Sequence, residues 1–145
     1  MSDRFWSETM RVNWSKIKHA IVKSYLVTKD KIIIEFEDIP DKIVIYARAD
    51  CCSNSEFIHE PDRDDSNLDV LIGQKILKAS ALKEEVARDQ VWSVRHQEGD
   101  KTQTDEILTK YYRYFILTQS GMKVSIMLCN VSNGYYDGWV DMFLE

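Results

Sequence analysis

Between residues 31 and 49 the chain alternates apolar and polar side chains in two short runs separated by a proline turn. A period of two is what a half-buried β-strand requires. Lys31 to Glu37 sets Ile32, Ile34 and Phe36 on one face. Asp38-Ile39-Pro40-Asp41 interrupts the pattern, and the proline presets its own φ for a turn. Lys42 to Ala49 then sets Ile43, Ile45, Ala47 and Ala49 against Val44, Tyr46 and Arg48. Upstream, Lys16 to Thr28 holds a β-branched run that ends at a tight turn, Lys29-Asp30. Three strands joined by turns this short make an antiparallel meander.

The remaining chain extends the same reading. Ser66 to Gly73 predicts a helical turn or two, capped by Ser66 or Asn67 and stopped by Gly73. Gln74 to Ala87 returns to the sheet through Ile76, and Val91 to Gln97 alternates Val91, Ser93 and Arg95 with Trp92, Val94 and His96. Glu98 to Glu106 is polar and patternless, which predicts a mobile loop. Tyr111 to Thr118 and Met122 to Asn130 carry the strongest strand signal, joined through Gln119-Ser120-Gly121, where glycine accepts positive φ. Trp139 to Leu144 predicts a last strand, an edge that could extend the sheet across a homodimer. The expected fold is α+β and mainly antiparallel β, a single compact sheet-based domain over residues 16–145 with about seven strands and one short helix after residue 65. Residues 1–15 are read as an N-terminal arm, in which Trp6, Met10 and Trp14 fall at helical spacing.

Totals narrow the function classes. A chain of 145 residues fits one domain. Its 19 basic residues are outnumbered by 24 acidic ones, for a net charge of -5, and no basic stripe offers itself to phosphates. That argues against a nucleic-acid partner. No apolar stretch approaches the roughly 18 residues a membrane helix needs, so no membrane partner is expected. The opening Met1-Ser2-Asp3-Arg4-Phe5-Trp6 has no apolar segment of the secretory kind, and the expected location is the cytoplasm.

Two polar clusters follow predicted strands, where a rigid sheet can support a binding site. One is Asp50-Cys51-Cys52-Ser53; the other runs from Asn130 through Ser132, Asn133, Gly134, Tyr135, Tyr136 and Asp137 to Gly138. Asp50, Cys51, Cys52, Ser53, Asn130, Ser132, Asn133, Tyr135 and Tyr136 are the candidate ligand-binding residues. Amides of Asn130 and Asn133 and hydroxyls of Tyr135 and Tyr136 would give donors and acceptors around an aromatic floor. The competing reading is a pair of turns, with the cysteines acting as small buried apolar residues. A zinc site would take Cys51 or Cys52 with Cys129 and His59 or His96, but the spacing does not favour one. Glu60, Asp62, Asp64 and Asp65 lack the glycine and terminal glutamate of an EF-hand loop and read as a solvated loop. Acidic neighbours would raise a thiol pKa near Cys51, and His19, His59 and His96 are scattered. No catalytic residue is nominated, and no motif calls for a cofactor.

The order of these motifs, Asp50-Cys51-Cys52-Ser53, then Leu68 to Gly73 with Ile76, then Ser132 to Gly138, resembles a small domain family of tailed phages and large DNA viruses. The resemblance spans Ile17 to Val140. It implies a viral origin and a site near the two clusters, and it carries no assigned activity. The expected role is that of a small viral accessory or structural protein that binds another protein and is not an enzyme. The alternatives are a ligand-binding or enzymatic domain at the two clusters, or a thiol-ligated metal module.

Overall fold

A computed structural model describes residues 10–50, 53–58, 67–79, 83–88, 92–98, 101–132 and 137–145. Among these the chain forms β1 (Met10–Arg11), β2 (Val22–Val27), β3 (Lys31–Phe36), β4 (Lys42–Ala49), β5 (Asn54–Ile58) and a single 3-10 turn, η1 (Leu68–Leu71). It continues through β6 (Ile76–Ala79), β7 (Glu84–Arg88), β8 (Trp92–Glu98), β9 (Lys101–Thr118), β10 (Lys123–Ser132) and β11 (Gly138–Leu144). The mainly antiparallel β fold is the one the alternation predicted. Among the described residues no helix is long and apolar enough to cross a membrane.

The strands form two packed sheets rather than one. The first has the order β1-β11-β4-β3-β2 and the second β5-β10-β9-β6. β9 is 18 residues long and outruns any one neighbour. One of its edges pairs with β10, while the other meets β8, β7 and β6 in succession. That is why a count of about seven strands falls short of eleven described segments: short strands share one long partner.

The core lies between the sheets. Ile32, Ile34, Ile43, Ile45, Val140 and Met142 face Tyr112, Tyr114, Ile116, Val124, Ile126 and Leu128 in one buried cluster. Each fully buried aliphatic side chain contributes about 2 kcal/mol through removal from water. The outward face of the first sheet carries a polar-aromatic ladder instead. Tyr46 stacks edge-on against Phe143 at 5.9 Å, Arg48 lies 4.6 Å over the Tyr46 ring, and the Arg48 Nε donates to Asp141 at 3.2 Å.

Ser55 sits by Gly138 of β11, while two residues later the Phe57 N–H donates to the carbonyl of Lys29, in the β2–β3 turn, so β5 passes across the ends of first-sheet strands.

Several expectations need correction. β2 begins at Val22, not Lys16, because Asn13 caps a run of turns through Oδ1, which accepts from the Ser15 amide and hydroxyl. Met10 lies in β1, so the helical stripe of Trp6, Met10 and Trp14 does not form; Trp6 is outside the described residues. Asn54 to Ile58 adds a strand, β5, with Glu56 opposite Cys129, since burial of Phe57 holds this segment on the core. Lys101 to Glu106 opens β9 and pairs residue for residue with β8, because cross-strand hydrogen bonding needs no apolar pattern. β11 is not an edge: β4 pairs with one side and β1, in parallel, with the other. Among the described residues the pairing with β1 covers Met142 and Phe143 only. The short helix is η1, capped by Asn67, whose Oδ1 accepts from the Asp69 amide. Gly73 follows at φ +82° and Gly121 turns the β9–β10 hairpin at φ +90°, both positions a side chain would strain.

Candidate functional site

Both sequence clusters lie where the chain changes sheet. Residues 50–53 connect β4 to β5, and residues 133–137 connect β10 to β11; Gly138 pairs with Ala49, so the two crossovers meet at one end of the sandwich. Asp50, Ser53, Asn130 and Ser132 are brought to that end. Cys51, Cys52, Asn133, Tyr135 and Tyr136 lie outside the described residues, as does His59. Cys129 is buried on β10, and among the described residues no three His, Cys, Asp or Glu side chains group as metal ligands would.

Asp137 is the hub, and the sequence reading passed over it. Its Oδ1 accepts from the Tyr112 hydroxyl at 2.6 Å and from the Gly138 amide at 2.8 Å, while Oδ2 accepts from Lys83 Nζ at 2.5 Å. Burial pushes the carboxyl up, but hydrogen bonds from Lys83, Tyr112 and Gly138 outweigh it and hold Asp137 below the ordinary range. Lys83 also donates to the Gly138 carbonyl at 3.0 Å and lies 4.3 Å over the Tyr112 ring. Burial, and then the bond to Asp137, push the Tyr112 phenol far up, so it stays a donor. A general base needs an accessible lone pair facing substrate. Here each carboxylate oxygen accepts from at least one of the fold's own donors. Asp137 fastens the crossover.

Asn130 is fully buried, and its amide nitrogen donates to Ser55 Oγ at 3.0 Å and Ser53 Oγ at 3.3 Å. The Ser53 hydroxyl proton is directed to the Asp50 and Asp137 carbonyls, which leaves its oxygen to accept and fixes which way the Asn130 amide points. Asn130 Oδ1 is then left without a partner among the described residues. Of the hub, Tyr112 had a sequence signal: a tyrosine on the inward face of an apolar strand needs a hydrogen-bond partner. Lys83 and Ser55 had none, since their roles exist only once the two sheets meet.

A different concavity opens at the opposite end, beside the β9–β10 hairpin. Trp14, Ser15, Lys18, Ile76, Leu77 and Gln119 line a groove of about 380 Å³. Trp14 packs one side against the core and presents the other to the groove. The hairpin is tied down by Gln119, whose amide N–H donates to the Lys75 carbonyl at 2.8 Å and whose side chain donates to the Lys18 carbonyl at 2.5 Å. Of the five large apolar side chains exposed among the described residues, Ile72, Leu77 and Met122 belong to segments at this end. No family model, curated protein or solved structure matches this chain.

Proposed function

We propose that this chain is a small viral accessory or structural protein that acts by binding another protein, and that the β9–β10 hairpin end is the binding surface. The observation that carries the reading is a groove lined by Trp14 and by Leu77, which is 48% exposed, at an end of the fold whose segments also carry the exposed Ile72 and Met122. Apolar side chains grouped this way in water favour a partner that removes them from it. The polar hub at the other end supports the same reading, since its charged groups are spent on joining the sheets. Viral origin is supported by the order of the three sequence motifs. The test is photo-crosslinking from position 77, with position 131, exposed on β10, as control. A discrete protein adduct from 77 alone supports the reading, and equal or absent adducts at both positions contradict it.

A second reading is a ligand or metal site at the crossovers, drawing on Cys51, Cys52, Asn133 and Tyr135. The buried Asn130 Oδ1, without a partner among the described residues, favours it, because a buried acceptor left unpaired costs about 1–3 kcal/mol and a bound donor would remove that cost. A native mass spectrum of the reduced protein tests it. A bound mass lost on Asn130→Ala supports this site, and a bare protein contradicts it.

A further inference from the structure

We infer that the hairpin-end groove takes an acidic peptide segment carrying one bulky apolar side chain; the inference rests on the protein-binding reading and names the chemistry of its partner. The starting point is a register shift. β6 pairs Ile76 with Thr118 and Lys78 with Leu117, so Leu77 is the extra residue of a β-bulge. A bulge re-aims side chains. Ile76 and Ala79 stay buried, whereas Leu77 and Lys78, neighbours in sequence, are both exposed. Leu77 thus lines the groove, with an exposed cation next to it in sequence.

The rest of the rim matches. Lys18 lines the groove, and Lys75 sits beside it through the bond of its carbonyl to Gln119. Lys18, Lys75 and Lys78 form no ion pair among the described residues, whereas Lys16 nearby is held by Asp41 at 2.9 Å. Lys18 on the groove, with Lys75 and Lys78 adjacent in sequence to its lining residues Ile76 and Leu77, stands out in a chain whose net charge is -5. A volume of about 380 Å³ lies at the low end of ligand pockets, enough for a single bulky anchor and too little for an extended apolar helix face. Acidic flanks would meet the lysines, which speeds encounter and fixes orientation, while the anchor supplies burial against Trp14 and Leu77. A nucleic acid would use the cations but leave Leu77 and Ile72 unused, and the acidic remainder of the protein would repel it.

The experiment is a titration of the full ¹⁵N-labelled chain with a synthetic hexapeptide, a Phe-Leu core between paired glutamates, followed by amide and indole shifts. The same hexapeptide with paired lysines, one with a Ser-Ser core, and oligo-deoxythymidine are run beside it. The expected result is saturable shifts at Trp14, Leu77 and Gln119 with the acidic Phe-Leu peptide, and binding at least about tenfold weaker for the other three probes. Leu77→Glu and Lys78→Glu, both at exposed positions, should each weaken the acidic peptide by roughly three- to tenfold without moving the melting temperature. Absence of shifts at those residues, equal binding of the lysine peptide, or equal binding of oligo-deoxythymidine overturns the inference. If that happens while crosslinks from position 77 persist, the surface binds protein of other chemistry. If the crosslinks are also absent, the protein-binding reading has failed as well.

Discussion

Asp50 and Asp137 clasp each other where the chain leaves and re-enters the first sheet: the Asp50 N–H donates to the Asp137 carbonyl at 2.9 Å, and the Asp137 N–H donates to Asp50 Oδ2 at 3.1 Å. One residue ends the strand that leaves the first sheet, and the other precedes the strand that returns to it. Connections between packed sheets strand backbone polar groups that no ladder satisfies. Here the two crossovers satisfy one another, and Ser53, Tyr112 and Lys83 complete the join.

Gly138 is where that join is tightest. A Cβ there would lie 2.1 Å from Ser55 Oγ, 2.8 Å from Asn130 Nδ2 and 3.1 Å from the Arg48 carbonyl, which is backbone and cannot swing aside. Gly138→Ala should therefore cost about 1–3 kcal/mol of stability, measured as a lower urea midpoint at unchanged slope.

Asp137 should give the fold an acid-sensitive component. Its folded pKa lies below the ordinary value of 3.8, so its contribution is complete above that value and is lost as pH falls through the folded pKa. Melting temperatures taken from about pH 6 down to about pH 3 should fall more steeply for the natural protein than for Asp137→Asn. Parallel curves would show that the carboxylate is not held by Lys83 and Tyr112.

Tyr112 titrates in the other direction. Burial and the neighbouring carboxylate raise its pKa above the ordinary 10.0, so the stability it lends is full below that value and is lost as pH rises through the folded pKa. Alkaline difference absorbance should show Tyr112 ionising only with unfolding, an absorbance step removed in Tyr112→Phe. That variant should also lose about 0.5–1.5 kcal/mol, the usual net worth of a hydrogen bond.

The strands carried by alternation were legible: β3 and β4 were predicted nearly to the residue, because Ile32, Ile34, Ile43 and Ile45 write the inward face in apolar letters. β5 and the first third of β9 were not, since Asn54-Ser55-Glu56 and Lys101 to Glu106 form strands on cross-strand hydrogen bonds with no apolar period. Ser53 meets Asn130 although the strands that precede and carry them belong to different sheets, a juxtaposition that no local pattern encodes. The hub role of Asp137 was not legible either, because its donors come from residues 25 and 54 positions away in sequence. The Leu77 bulge was equally silent: its outward turn comes from pairing with β9, not from residue type.

The central claim is a division of labour, with the crossover end holding the fold and the hairpin end holding the partner. Asp137→Asn and Leu77→Glu, measured side by side for melting temperature and for crosslinking from position 122, exposed at the hairpin end, test it directly. Asp137→Asn should lower the melting temperature by several degrees, as about 1–3 kcal/mol would in a chain this size, and leave the crosslink intact. Leu77→Glu should abolish the crosslink and leave the melting temperature in place. The reverse pattern, with partner capture lost on Asp137→Asn below its melting transition and retained on Leu77→Glu, would contradict the account.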